Sequence, residues 1–597
     1  MMKFAAAPLL PTILCVLLPS LQPGTADARG GVSDNPRREY SRGYEQRARE
    51  IAAYYDTSTA GGYYCVAARY ALGNDLRTAD SMFVAALKAP SGDMFWMFPC
   101  IGAYLHGREV MSPETRAAVR NAWKIYAPYR GDTENHWAMY YSSLYLASEQ
   151  WPGLPGSEWY NGKSSEENRA DAKEYLIHWI KIATTIGQGE FDTPHYFAEY
   201  AVSMSLLADF AKDPEMRKRG TMMLDYLLAD FADEQLDGQY LGGFSRIYQP
   251  EVYRPLMTPA SAFAWLYFGT GEPTRTEWVL LPAVGDYRLP QIIYAVATDR
   301  SHSYVERERK RVRNVIRFGK EKNPPVYKYT YVTKDYGLGS LQGGLLQPIQ
   351  QHTWGVQYMY GRPFTTIFGL HPYWSSYELG MFFPEEIKPL IADVVASKGT
   401  YNNPDKWTGG SPFERTFQYR NTLLVLYDIE PGTMTEHIDG FFPRNLQERI
   451  VDPSGWIFCK AGDTFVGWYP LQAGAWTADA DNWRFRSNSL QNGEVVEVRS
   501  KAEIGSFEKF CIALKARRPK AVRKPGAVSV EYTTIGNDKM KFTFPDGRWL
   551  NGKAIDLSTT PLFDGPYLHA AVGSQKLSIT HGREKLDLDF KKLTITE

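Results

Sequence analysis

The spacing of apolar side chains divides the chain into two regimes. From about residue 40 to 270, apolar positions recur at i, i+3 and i+4, the period of an amphipathic helix. "EQRAREIAAYYD" (45–56), "TADSMFVAALKA" (78–89), "PETRAAVRNAWKIYA" (113–127), "NHWAMYYSSLYLASE" (135–149), "DAKEYLIHWIKIATTIG" (171–187), "HYFAEYAVSMSLLADFA" (195–211) and "EMRKRGTMMLDYLLADFAD" (215–233) all follow it. Short Gly/Pro/Asp stretches separate them, so about ten antiparallel helices stacked as hairpins are expected.

Beyond Pro324-Pro325 the period falls to two, in segments rich in β-branched and aromatic residues: "VYKYTYVTKDYGLGS" (326–340), "QQHTWGVQYMYG" (350–361), "RTFQYRNTLLVLYDI" (415–429), "GDTFVGWYPL" (462–471), "EVVEVRSK" (494–501) and "LDLDFKKLTI" (586–595). Turn residues separate them, which predicts an antiparallel β-sandwich. The fold class is therefore α+β and multidomain, with a helical domain over 29–324 and a sandwich over 325–597. Between the two periodic regions, "ERERKRVRNVIR" (306–317) reads as the solvated face of a helix, the usual role of a charge run.

Residues 1–28 read as a cleaved signal peptide. Lys3 supplies the positive start, Phe4 to Leu21 an apolar stretch broken by Pro8, Pro11 and Pro19, and Ala26-Asp27-Ala28 a cleavage site. No later segment is long and apolar enough to span a membrane. Export to the periplasm or medium is expected, and it would let the four remaining cysteines pair as Cys65–Cys100 and Cys459–Cys511. No zinc-ligand spacing is present. The formal net charge is zero over 597 residues, which argues against a nucleic-acid binder. Aromatics reach 14%, enough for a large core or for ring faces that stack on sugars.

Two stretches carry more polarity than packing requires. In "GDTENHWAMYYSSLYLASE" (131–149), Thr133 is the expected N-cap, placing Glu134, Asn135 and His136 at the first three helical positions. Trp137, Tyr140, Tyr141, Leu144 and Tyr145 follow as a buried stripe. In "GEFDTPHYFAEY" (189–200), Thr193 is the expected cap and Pro194 the first helical residue, followed by His195 and Tyr196. A helix start is electropositive and carries unpaired N–H groups, so it favours a carboxylate. Both clusters meet if the two helix starts face one opening.

Three further stretches join them. "LGGFSRIYQPEVYRP" (241–255) places Arg246, Tyr248, Tyr253 and Arg254 in a Gly/Pro-broken loop, and Arg fits a carboxylate bidentately. "LQPIQQHTWGVQY" (346–358) brings His352 and Trp354 from the second region. Trp151 is a sugar platform or a helix-end plug.

Taken together, the signal peptide, the helices, the sheets, Asn135-His136, Pro194-His195-Tyr196 with Tyr200, and more weakly Tyr336 and His352 resemble the heparinase II/III and oligoalginate-lyase type of polysaccharide lyase. The resemblance implies an (α/α) toroid before the β-sandwich and β-elimination on an acidic polysaccharide or oligosaccharide. It implies that Asn135 and His136 neutralise the uronate carboxylate, and that a residue after Pro194, His195 or Tyr196, acts at the C5 proton. The catalytic set is Asn135, His136, His195, Tyr196, Tyr248 and His352. Glu134, Tyr140, Tyr200, Arg246, Tyr253 and Trp354 are expected to contact substrate. No redox cofactor or metal is called for. The rival enzyme is a glycoside hydrolase using Asp132 or Glu134 with Asp192 or Glu199. A non-catalytic glycan-binding protein is the third reading.

Overall fold

A computed structural model describes residues 36–58, 62–131, 133–274, 276–312, 325–343, 350–373 and 403–597. The predicted signal peptide, Asp132 and residues 313–317 of the charge run lie outside the described residues.

The first part is helical, from Pro36–Thr57 to Gln291–Thr298. Helices Glu134–Gln150 and Phe197–Phe210 are buried on nearly every face, the first together with its polar residues Glu134, Asn135, Ser142, Ser143, Ser148 and Glu149. The Glu134–Gln150 helix packs against Met97–Gly107, Ser165–Ile186 and Phe197–Phe210. Pro113–Ile125 and Ser165–Ile186 bury one stripe and leave the other wet. Their starts are fixed by caps: Ser112 accepts from Thr115 N–H, and Ser164 and Glu167 form a reciprocal capping box.

The second part is antiparallel sheet. Among the described residues, the largest has thirteen strands. It runs from Ala475–Ala478 at one edge through Trp354–Tyr358, Tyr336–Gln342, Pro325–Val332 and Tyr304–Arg311, then on to the C-terminal strands ending at Thr594–Thr596. A six-stranded sheet, from Glu448–Val451 to Glu414–Tyr419, shares an apolar layer with it that includes Leu338, Trp354, Val356, Leu423, Val425, Val466 and Trp468. On its far side, Leu424, Leu426, Phe458 and Phe465 pack against the Phe507–Lys515 helix and a five-stranded sheet, through Phe510, Val530 and Phe542.

Two expectations are corrected here. Residues 306–311 of the charge run form no solvated helix: Tyr304–Arg311 is a strand paired along its length with Pro325–Val332. Glu306, Glu308, Lys310 and Arg311 are buried while Arg307 stays exposed. Alternation sends Glu306, Glu308 and Lys310 inward, where Lys310 pairs with Glu308, Asp192 and Asp230. The sheet therefore begins at Tyr304, ahead of the predicted boundary at 325. The predicted disulfides are also absent: Cys65, Cys100, Cys459 and Cys511 are free and buried. Burial pushes the Cys459 thiol up to about 12, and buried thiols pack as small apolar side chains.

Among the described residues, no helix is long and apolar enough to cross a membrane.

Candidate functional site

Thr133 caps the first helix as expected, its hydroxyl accepting from His136 N–H at 3.3 Å. The second start differs from expectation. The helix begins at Phe197, and Pro194–Tyr196 form a preceding turn. Thr193 still acts as a cap for that turn, accepting from Tyr196 N–H at 3.1 Å.

The two starts meet through Glu190, a residue the sequence reading left unassigned. The Asn135 backbone N–H and side-chain amide donate to Glu190 Oε2 at 2.9 and 2.7 Å, and the Tyr200 hydroxyl donates to the same oxygen at 2.8 Å. Arg246 pairs with Glu190 Oε1, fully buried. The other arm of the guanidinium reaches the Tyr196 hydroxyl at 2.9 Å and lies over that ring, 3.9 Å from its centre. Burial alone would lower the Arg246 pKa, but Tyr196 and Glu190 hold it well above its usual value. Arg246 is thus a fixed cation with two acidic neighbours.

Tyr196 in turn donates to the Tyr248 hydroxyl at 2.7 Å. The rings of His195 and Tyr248 meet edge to face at 4.6 Å. Tyr248 and His195 reach solvent, with Tyr248 36% exposed, whereas Tyr196 and Arg246 lie beneath. His195 Nδ1 bonds Glu251 Oε1 at 2.6 Å, and Glu251 is itself fixed by a backbone bond from Tyr248 N–H. Burial opposes charge on His195, but attraction and hydrogen bonding to Glu251 prevail and raise its pKa. A helix beginning at Pro194 would disfavour His⁺ at His195, but the helix begins only at Phe197, three residues later than expected, and a carboxylate sits on Nδ1.

The sheet region supplies Gln350, also unassigned from the sequence. Phe244 and His352 exchange backbone hydrogen bonds at 2.8 and 3.0 Å, and Ile247 N–H donates to Gln350 C=O. This short pairing brings Gln350 Oε1 within 2.8 Å of Arg246 Nε. His352 itself turns away. Its ring stacks on Phe244 at 5.6 Å and meets Phe368 at 5.1 Å, and burial lowers its pKa to about 3.

The remaining sequence-derived candidates make other contacts. His136 sits against the Phe95 ring at 5.5 Å. Glu134 is buried, pairing with Arg311 and accepting from Glu190 N–H. Tyr140 accepts a hydrogen bond from Tyr160. Tyr253 packs among Phe368, Trp407 and Phe441. Trp354 and Tyr336 belong to the apolar layer between the two larger sheets. Trp151 plugs its helix end against Tyr104, Trp123 and Trp159. Glu199 is fully buried, and desolvation raises its pKa to about 7.

Beside this cluster, Asp192, Asp230, Glu234 and Glu308 converge, their nearest oxygens within 4.8 Å of one another. Two ammonium groups sit among them. Lys310 contacts Asp192 at 3.0 Å, Asp230 at 2.6 Å and Glu308 at 3.1 Å. Lys328 contacts Asp192 at 3.0 Å and pairs with Glu234. These lysines supply the positive charge that a cation would bring. Burial drives the Asp192 pKa up, but the two lysines outweigh it and keep it low, while desolvation raises Glu234 to about 8. The network ties the helical loops to the first two strands of the large sheet.

No family model matches the chain, and no curated protein matches it either.

Proposed function

We propose that this protein is an exported polysaccharide lyase that cleaves a uronic-acid-containing glycan by β-elimination, leaving an unsaturated uronate end. The fold that accompanies this reading is an (α/α) toroid followed by a β-sandwich.

The observation that carries it is the chain Glu190–Arg246–Tyr196–Tyr248, with His195 alongside. β-Elimination needs a base for the C5 proton, positive or N–H groups at the uronate carboxylate, and an acid for the leaving oxygen. A guanidinium donating to a phenol oxygen favours the phenolate, so Tyr196 with Tyr248 forms the basic pair. The base takes the C5 proton, the electron pair forms the C4–C5 double bond, and the C4–O bond breaks. A tyrosine hydroxyl or His195 protonates the departing oxygen. His195, held toward its charged form by Glu251, faces the uronate carboxylate. Asn135 acts through Glu190 as a positioning residue.

The hydrolase reading is less well supported, because Glu134 and Asp192 are buried in ion pairs, whereas hydrolysis needs two carboxyl groups flanking the sugar. The test is an absorbance screen for unsaturated uronate over alginate, glucuronan, heparin-type, hyaluronan-type and ulvan-type polymers. An ultraviolet-absorbing product supports the lyase. New reducing ends without absorbance would indicate a hydrolase, and binding without turnover a glycan-binding protein.

A further inference from the structure

The five-stranded sheet has one face against the six-stranded sheet, where Val530, Tyr532, Met540 and Phe542 are buried. Its other face is wet and basic. Cross-strand register places Lys520 opposite Glu531, Glu531 opposite Lys541, and Lys541 opposite Trp549, in one row across four strands. Lys539 lies in the next row, opposite Thr533. These side chains project from the exposed side because strand positions alternate.

The row forms the floor of an open groove of about 920 Å³, whose wall includes Arg517 and Arg518 at the end of the Phe507–Lys515 helix. Five basic side chains and one acidic one line it, on a chain whose formal net charge is zero. Glu531 pairs with Lys541 at 3.1 Å. Lys541 also sits 5.8 Å from the centre of the Trp549 ring, near enough for a cation–π contact. Arg518 is oriented by its Nε–H, which donates to the Tyr469 hydroxyl at 3.0 Å.

We propose that this groove is a second, non-catalytic binding site for an acidic polysaccharide strand. The arrangement suits such a ligand in two ways. Lys520 and Lys541 stand two strands apart, roughly 10 Å by inter-strand spacing, so successive carboxylates or sulfates along a polymer meet separate cations. Trp549 offers an electron-rich face to the C–H edge of a sugar ring. Single-stranded nucleic acid is less well matched, since it favours a run of aromatic platforms and this groove holds one tryptophan. The site would keep a long polymer attached while the tyrosine site works on part of it. The proposal rests on the acidic-glycan reading above, but its test does not depend on turnover.

The test is affinity electrophoresis of the full protein through gels containing alginate, polyglucuronate or heparin, with unsubstituted dextran as the neutral control. Fluorescence anisotropy with a labelled single-stranded DNA forms a second arm. Wild type should be retarded by at least one polyanion and not by dextran, with retardation weakening as salt rises. The triple variant Lys520→Glu/Lys539→Glu/Lys541→Glu should weaken that binding at least tenfold, and Trp549→Ala should weaken it several-fold at unchanged charge. Both variants should turn over short oligosaccharides at the wild-type rate. The groove site is overturned by undiminished polyanion binding in the triple variant, by no retardation in any acidic gel, or by tighter binding of DNA than of every glycan. If the groove variants lose binding while the wild type produces no unsaturated uronate, the lyase reading fails and the groove site stands.

Discussion

Tyr196→Phe removes one oxygen from the centre of the candidate site, and its two consequences differ in size. The hydroxyl accepts from Arg246 at 2.9 Å and donates to Tyr248 at 2.7 Å. A hydrogen bond involving a charged group contributes about 1.5–3 kcal/mol and a neutral one about 0.5–1.5 kcal/mol. Arg246 keeps Glu190 and Gln350, so its charge is not orphaned, and a stability loss of about 2 kcal/mol is expected, near the low end of that sum. If Tyr196 is the base, the rate falls by about 10²–10⁴, or about 2.7–5.4 kcal/mol at 1.36 kcal/mol per tenfold. The assay is the initial rate of absorbance increase at saturating substrate, paired with a thermal melt on the same preparation. A folded variant with turnover down at least a hundredfold and KM nearly unchanged fits the base role. If Tyr196→Phe keeps more than about a tenth of wild-type turnover while its melting temperature drops, the hydroxyl is structural and the base must be sought at Tyr248 or His195.

The remaining predictions probe the surrounding charges and the thiols. The raised pKa of His195 means that its pairing with Glu251 stabilises the fold fully below the unfolded histidine value of about 6.5. That contribution is lost as pH rises through the higher folded value, so His195→Gln should flatten the wild-type decline in melting temperature above pH 6.5, and an unaltered pH profile refutes the pairing. Lys328→Met removes an ammonium between Asp192 and Glu234 and should cost about 3–5 kcal/mol at pH 7, as for other buried pairs broken from one side. Equal melting of variant and wild type at pH 7 would sink the network's role. Cys65, Cys100, Cys459 and Cys511 should resist alkylation in the folded protein, and all four should alkylate in denaturant without reductant. A mass spectrum showing two fewer labels would restore a disulfide.

The sequence by itself determined the broad plan. A period of 3.6 before residue 270 and a period of two after 325 reflect which faces must be dry, and burial enforces both without reference to partners. Thr133 was legible as a cap because capping is settled within one turn. The start after Pro194 was misplaced by three residues, since the chain there first makes a separate turn. The tertiary structure alone decided how charges pair. "ERERKR" alternates charge on both faces of a strand and resembles a solvated surface unless Asp192, Asp230 and Glu234 are known to wait on the inner side. Glu190 and Gln350 carried no local signal, because a buried carboxylate and an amide acquire meaning only from Asn135 and Arg246, 55 and 104 residues away. His352 was drawn toward the site by its residue type, yet the strand-like pairing with Phe244 turns its ring into the core and brings Gln350 to Arg246 instead. Periodicity is a property of neighbours along the chain, whereas a buried ionic network depends on contacts between distant segments that only the assembled fold provides.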